Sequence, residues 1–345
     1  MSSEIEGPSG PDVVPDVVAE SKKQPGNWKN FLRKNVTQLG MIFVFFGLWL
    51  FFILAAPQTF LSPQIYYAFM ATTPLFAIMA LPLTMVIIAG EMDLSFPSIM
   101  AIGMVAFIFI FEPTGNVSLA IIAALAAGVA AGVLNGGLVV GIGIPSLVAT
   151  IGTQFFLRGL SLVLLEGQGA TLIATKESFV YTLFVGKAIG RIPNQFWWSI
   201  AIAILCWIIL NRTRLGAHIY LIGDNVQSAR LMGVNVNRTR LAVFIMMGLA
   251  AAFAGVLASL QVSFFWPSLG EGYLLSTLAS VFLGGTSVFG GVGTILGTFL
   301  GSYIIGAINA GIVAIGLTGF WTELIYGLII IISVSMHVIL QRRIK

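Results

Sequence analysis

Long apolar stretches separated by short polar segments dominate this chain from residue 39 onward. A membrane-spanning helix needs about 20 mostly apolar residues. On that measure the pattern predicts ten spanning helices, near residues 39–56, 65–90, 96–111, 117–141, 144–165, 196–211, 241–263, 272–290, 292–316 and 321–340. The 96–111 stretch is short for a span, and half of a broken helix is the alternative for it. The predicted fold class is an all-α polytopic membrane protein.

Composition agrees with that pattern. Hydrophobic residues make up 58% of the 345 residues and charged residues only 9%, with a mean hydropathy of +0.99. A soluble domain carries about 25% charged residues, so this chain cannot cover a water-facing surface. Soluble, disordered, coiled-coil and nucleic-acid-binding classes are excluded. The single Cys206 and the widely separated His218 and His337 indicate no disulfide within the chain and no metal site.

Lys and Arg orient the predicted helices. Three segments are basic: the N-terminal flank before residue 39, the 212–240 segment and the extreme C-terminus. Cytoplasmic loops carry an excess of these residues, so both termini and the 212–240 loop are predicted to be cytoplasmic. Six apolar stretches precede that loop and four follow it. Both numbers are even, so the two termini and the loop lie on the same side of the membrane, as the basic residues predict. Residues 1–38 are predicted to be a disordered cytoplasmic tail, because acids, Pro, Ser and Gly dominate their first part, and 39–341 to be the transmembrane domain.

The 166–195 loop then lies outside. It is long enough for a short helix, and it is either a docking surface for an external partner or a solvated loop without one.

Small residues at a spacing of four let helices approach closely in lipid. Two such ladders occur, one in the 117–141 stretch and one in the 292–316 stretch: Gly128, Gly132 and Gly136, and Gly293, Gly297 and Gly301. They indicate either packing within the chain or a seam between two copies.

Two places predict a bent or broken helix. Pro74 and Pro82 fall within one long stretch, where each removes a backbone hydrogen bond. The 90–97 segment follows, with Ser95 as a predicted N-cap and Pro97 in the first turn of the next helix.

Charges at the break are expensive in lipid. Asp93 at the bilayer centre would cost about 2.5–3.5 kcal/mol, so it is expected to face protein or water. It is either a cap near the membrane surface or a pathway or switch residue. Arg158 is a second charge inside a stretch, and Glu91 or Asp93 is a candidate partner for it.

The 212–240 segment is the most informative polar stretch. Asp224 or Asn225 can cap a short helix that runs to Met232, and Gly233 can close it in the left-handed conformation. Such a helix is too short to be stable alone. It is either a docking element for a soluble partner or an ordinary structured loop.

Catalytic motifs are absent from the sequence. There is no G-x-x-x-x-G-K-[ST] phosphate loop, no HExxH and no nucleophile with its base. We therefore expect a transporter that binds no cofactor of its own rather than an enzyme.

The 223–236 segment resembles the coupling-loop pattern Gly-x-Asn-x-x-Ala-Ala/Ser-Arg-x-x-Gly-Ile/Val-x-Val of ribose-type sugar permeases in bacterial ABC importers, a group related to branched-chain amino-acid permeases. Residues 90–98, 134–137, 144–159, 270–273 and 281–291 resemble further segments of that family in the same order, and the likeness covers roughly 65–340. The sequence departs from the family pattern near the expected pathway, at Glu91, Phe96, Pro97, Leu274 and Ser276.

The resemblance implies a transmembrane permease subunit in the bacterial cytoplasmic membrane. It implies a second permease chain, expected to be identical, a cytoplasmic ABC ATPase that holds ATP and Mg²⁺, and an external solute-binding protein that delivers a sugar. The residues at the ATPase would be Asp224, Asn225, Ala229, Arg230 and Gly233. Those that organise the pathway and the helix break would be Glu91, Asp93, Ser95, Asn135 and Arg158.

A second hypothesis is an ion-coupled secondary transporter. Its broken helix would bind solute, and Glu91 and Asp93 would bind Na⁺ or H⁺. The sequence leaves open which solute is carried, whether pentose, hexose, polyol or autoinducer.

Overall fold

The computed structural model describes residues 36–344, apart from 188 and 318. The first 35 residues of the predicted tail lie outside this range, and the first helix already begins at residue 36. The helices are α1 (Val36–Ala55), α2 (Pro57–Phe60), α3 (Pro63–Ile88), α4 (Phe96–Thr114), α5 (Val117–Gly137), α6 (Ser146–Leu164), α7 (Phe179–Val185), α8 (Asn194–Arg212), α9 (Arg214–Asp224), α10 (Val226–Leu231), α11 (Val236–Val262), α12 (Tyr273–Leu283), α13 (Ile295–Ala314) and α14 (Phe320–Ile344).

Seven of these helices are long and apolar enough to span a membrane: α3, α4, α5 with its π-helical extension to Ile142, α6, α8, α11 and α13. Three shorter apolar segments, Phe45–Ala55, Tyr273–Leu283 and Phe320–Ser335, fall where the sequence predicts further spans. The all-α polytopic class is confirmed, and the count of ten stays a prediction.

Two details of the helix prediction are wrong. The 96–111 stretch is not half a helix, because α4 has 19 residues. The 272–290 stretch is not one continuous helix, because α12 ends at Leu283 after 11 residues, a length of about 16 Å. A loop with Gly285, Gly290 and Gly291 at positive φ continues to α13, so residues 284–290 form a glycine-rich turn and not the end of a helix.

Helix α3 lies at the centre of the described domain. Its side chains from Thr73 to Ile88 are all buried, which explains why its sequence is apolar on every side. The helix continues without a break through Pro74 and Pro82, so the predicted interruption lies only at 89–95, where α3 ends and α4 has not begun.

Both glycine ladders pack within the chain. A Cβ on Gly128 or Gly132 would lie 2.5 Å from a backbone carbonyl oxygen of α11, that of Gly248 or Phe244 respectively, and Gly136 meets Leu241 of the same helix. The other ladder, Gly293, Gly297 and Gly301, meets Ile88 and the carbonyl oxygens of Gly284 and Ser280 in turn. These faces are occupied, so the alternative of a seam between copies is wrong for them.

The 166–195 loop contains the predicted short helix, α7, and a 3₁₀ turn at Ile173–Glu177. Its strand β1 (Ala170–Thr171) pairs antiparallel with β2 (Phe264–Phe265), which follows α11. The loop is therefore fixed to the end of α11, and its docking role stays a prediction.

Candidate functional site

The break at 89–95 is held by the first turns of α6. Ser146 Oγ accepts a hydrogen bond from the backbone N–H of Met92 at 3.0 Å. Thr150 Oγ1 accepts one from the N–H of Leu94 at 3.2 Å. Backbone groups without helical partners are costly inside a membrane protein, so these hydroxyls replace the bonds that the missing helix would make.

Asp93 lies at the centre of a fully buried polar cluster. Its Oδ1 accepts bonds from the backbone N–H of Ser95 at 2.8 Å and from Ser95 Oγ at 2.6 Å. Asn135 of α5 donates through Nδ2 to Ser95 Oγ at 2.6 Å and to Asp93 Oδ2 at 3.5 Å. Thr153 of α6 donates to Asn135 Oδ1 at 2.6 Å. The cluster ties the break, α5 and α6 together.

The side chain of Asp93 is fully buried. Desolvation raises the pKa of this carboxyl, which lies between two spans, and the hydrogen bonds from Ser95 and Asn135 act in the opposite direction. The predicted side-chain cap is wrong in detail. Ser95 occupies the N-cap position of α4, but its hydroxyl bonds to Asp93 rather than to the helix. Asp93 itself makes the local turn, by accepting the N–H two residues ahead.

Glu91 forms an ion pair that the sequence did not predict. Its Oε1 lies 2.7 Å from Nε of Arg240 on α11, and the side chains are 7% and 23% exposed. The proposed pairing of Arg158 with Glu91 or Asp93 is therefore wrong, since both acids have other partners. These acids are also those that the ion-coupled hypothesis needs, and they are already bonded within the chain.

Arg158 instead organises the loop between β2 and α12. It donates to the carbonyl oxygens of Pro267 and Leu269, the latter at 3.0 Å, and more weakly to that of Pro97 at 3.4 Å. Its Nε lies 3.5 Å from Oε1 of Glu271. The guanidinium therefore anchors residues 267–271 against the first turn of α4.

The predicted short helix in the 212–240 segment is α10. Asn225, not Asp224, caps it, by accepting the N–H of Ser228 at 2.9 Å. Gly233 follows at a φ of +81°, with Val234 N–H bonded to Ala229 O and Gly233 N–H to Arg230 O. These two bonds form a Schellman motif, as expected for a left-handed glycine after a helix.

One side of α10 is buried and the other is open. Ala229 packs beneath the helix with Ile222, Val234 and Val236, so its side chain is not available to the ATPase groove that the resemblance implies. Asp224, Asn225 and Arg230 are exposed, and Leu231 is 90% exposed. Met232 beside it is 68% exposed, and two adjacent open apolar side chains are suited to contact with a partner.

The segment before α10 touches the break directly. A Cβ on Gly223 would lie 1.7 Å from the carbonyl oxygen of Ile88, the last residue of α3. The same oxygen accepts the N–H of Gly291 at 2.9 Å. The end of α3, the polar segment and the loop before α13 therefore meet at one point.

Sequence reasoning missed five residues of this site: Arg240, Glu271, Ser146, Thr150 and Thr153. The spacing of Ser146, Thr150 and Thr153 puts three hydroxyls on one helix face, a signal that was readable. No sequence signal identified Arg240 or Glu271, because their partners are distant in sequence. Within the described ranges, no group of three or more His, Cys, Asp or Glu is arranged to hold a metal ion.

The fold and the site define a multi-pass membrane protein whose buried helix break contacts a polar segment outside the spans. The family model described as branched-chain amino acid transport system / permease component matches residues 65–334. The ribose import permease protein RbsC of Escherichia coli (strain K12) is 32% identical over 288 residues, 82% of this chain and 89% of that protein. The autoinducer 2 import system permease protein LsrD of Salmonella typhi is 33% identical over 270 residues, 75% of this chain and 80% of that protein.

No solved structure matches the chain. The family match covers most of it, and the chain belongs to this permease family. It is a transmembrane permease of an ABC import system.

Proposed function

We propose that this chain carries a sugar or sugar-like solute across the bacterial cytoplasmic membrane. It works as one of two identical permease subunits, driven by a cytoplasmic ABC ATPase that binds ATP and Mg²⁺ and supplied by an external binding protein. The relatives whose names specify ribose and autoinducer 2 support the solute class. The permease itself binds no cofactor in this proposal.

The observation that carries the proposal is the contact of Gly223 with the end of α3. A force applied to the open side of α10 reaches Ile88 through this contact without an intervening flexible loop. The break and its polar cluster begin at the next residues. Such a contact supports an ATPase-driven switch, because each state of the ATPase must bias the two states of the pathway differently.

The surface of α6 supports a second permease chain. Leu147, Val148, Ile151, Phe155 and Phe156 form an exposed apolar face on a helix whose other side holds the break. By contrast, the cavity between α3, α8 and α11 is lined by apolar side chains such as Met85, Trp198 and Phe253. That lining does not suit a sugar, so we place the route between the two copies, with the apolar face of α6 as contact surface rather than as lining.

The coupling role is tested with Arg230→Glu in the importer reconstituted with ATPase and binding protein. Arg230 is exposed on α10, so the substitution leaves the fold intact and reverses the charge offered to the ATPase. We expect loss of solute-stimulated ATP hydrolysis with normal membrane insertion. Arg214→Glu, an equal charge change at an exposed position on α9, is the matched control and is expected to keep stimulation. Normal stimulation in Arg230→Glu contradicts the coupling role.

Two further measurements test the class and the solute. Vesicles that contain only this chain are expected not to accumulate sugar in the presence of an ion gradient. Uphill accumulation there favours the ion-coupled alternative instead. Thermal-shift screening of the partner binding protein against a panel of pentoses, hexoses and polyols, beginning with ribose, identifies the solute.

A further inference from the structure

Glu271 is an exposed carboxylate whose partner is buried. Its side chain is 61% exposed, whereas that of Arg158, its ion-pair partner at 3.5 Å, is 12% exposed. On its N-terminal side Leu269 and Gly270 are both buried, whereas Gly272 on its C-terminal side is exposed. The side chain of Glu271 is therefore paired with Arg158 on one side and open on the other.

This position lies within the layer of spanning helices. A Cβ on Gly270 would lie 2.2 Å from the carbonyl oxygen of Pro97, in the first turn of α4. Pro97 is 17 residues before the end of α4 at Thr114, which corresponds to about 25 Å of helix. Arg158 is six residues before the end of α6 at Leu164, or about 9 Å. Residues 266–272 thus turn back into the membrane layer after β2.

An ionised carboxylate at that depth is expensive against lipid. Arg158 reduces this cost on one side only, and the side chain of Glu271 stays 61% exposed. Intramembrane charges that persist face a polar cavity or partner. The open side of Glu271 is therefore expected to face a water-filled route rather than lipid.

We propose that Glu271 is a solute-contacting residue of the permeation route, which accepts hydrogen bonds from sugar hydroxyls as they pass. This inference rests on the proposed function. A carboxylate only accepts hydrogen bonds, and hydroxyls are the donors that a sugar offers. Bonds to an ionised acceptor are stronger than neutral ones, so a carboxylate competes with water for the hydroxyls of a passing sugar.

The neighbours of Glu271 fit this ligand. Ser268 is exposed and Trp266 is half-buried, so a hydroxyl and an aromatic ring stand on the same turn. Sites for small molecules combine apolar and aromatic surface with a few placed polar groups in this way. Arg158 is a positioning residue, because its donors are already occupied by carbonyl oxygens and by Glu271 itself.

Exposure to the route is tested by cysteine labelling in the complete reconstituted importer. In a Cys206→Ala background, Glu271→Cys is treated with a membrane-impermeant methanethiosulfonate sulfonate. The control is Ile204→Cys, which is also exposed but lies in the middle of α8 on an apolar surface. In at least one nucleotide state of the ATPase, we expect Glu271→Cys to react at least 100-fold faster than Ile204→Cys. Equal, slow reaction in every state overturns the inference, since the position then faces lipid or a partner chain.

Contact with solute is tested by uptake of the panel sugar per ATP hydrolysed. Glu271→Gln keeps the shape and loses the charge, and we expect the ratio to fall about tenfold, with partial recovery in Glu271→Asp. Glu112→Gln, an exposed acid in the last turn of α4, is the control and is expected to match the wild type. If the wild type takes up sugar and Glu271→Gln has the same ratio of uptake to ATP hydrolysis, the role of Glu271 is overturned, whereas the proposed function is not. Absence of uptake in the wild type, with each panel sugar, overturns the proposed function.

Discussion

Oε1 of Glu91 lies 2.7 Å from Nε of Arg240, and this ion pair joins the helix break to the beginning of α11. Arg240 is five residues beyond Asn235, which caps α11 directly after the short helix α10. Together with the contact of Gly223 on Ile88, the pair connects the polar segment to the break at both ends of α10. The break is therefore fastened to the segment that the proposed ATPase would move.

Removing one partner of this pair is expected to destabilise the protein. Arg240→Gln leaves the nearly buried Glu91 carboxylate without its cation, a change that typically costs about 3 kcal/mol. Glu91→Gln is also expected to destabilise, and the double variant to cost less than the sum of the two. The free energy of unfolding, measured by denaturant titration in mixed micelles, checks this. Additive costs, or an equal cost for the exposed Arg238→Gln, contradict an energetic role for the pair.

The buried cluster around Asp93 depends on Asn135. Asn135→Leu removes the donor to Ser95 Oγ and Asp93 Oδ2 and the side-chain acceptor of the Thr153 hydroxyl, and a buried polar group that loses its hydrogen bond costs about 1–3 kcal/mol. We expect a large loss of unfolding free energy. Asn116→Leu, on the same helix, removes only an exposed N-cap and is expected to cost about 1 kcal/mol. Equal losses of unfolding free energy in the two variants contradict a stabilising role for the buried cluster.

The crossing of α5 and α11 requires Gly132. Because a Cβ there would lie 2.5 Å from Phe244 O, Gly132→Ala must push the helices apart, and we expect a cost of about 1–3 kcal/mol. Gly137, five residues later on α5, has no atom within 4 Å of its Cβ position. Gly137→Ala is therefore expected to be neutral or slightly stabilising. Thermal unfolding in detergent compares the two, and a neutral Gly132→Ala contradicts the close packing.

The end of α10 requires the left-handed backbone of Gly233. A Cβ there meets no atom within 4 Å, so the effect of substitution is conformational rather than steric. Gly233→Val is expected to cost about 1–2 kcal/mol locally and to lower solute-stimulated ATP hydrolysis, whereas Gly233→Asn tolerates this backbone better. ATPase assays of the reconstituted importer separate the variants. Equal activity in the two shows that the end of α10 does not need this conformation.

Local patterns predicted most of the fold. Lengths of apolar sequence gave the spans, because the thickness of the bilayer sets them. Turn chemistry gave the short helix capped by Asn225 and closed by Gly233, since both signals act within a few residues. The prediction from hydropathy failed at 272–290, because hydropathy does not distinguish the glycine-rich turn after Leu283 from a continuing helix.

The sequence by itself determined the membrane class, the place of the break and the residue types that fill it. Only the tertiary structure decided which charges meet. Arg158 was matched with the wrong acids because sequence separation carries no information on distance, and Glu91 and Glu271 found cations on different helices. The packing of both glycine ladders within the chain was also settled there, because a small residue permits close approach without specifying which surface approaches.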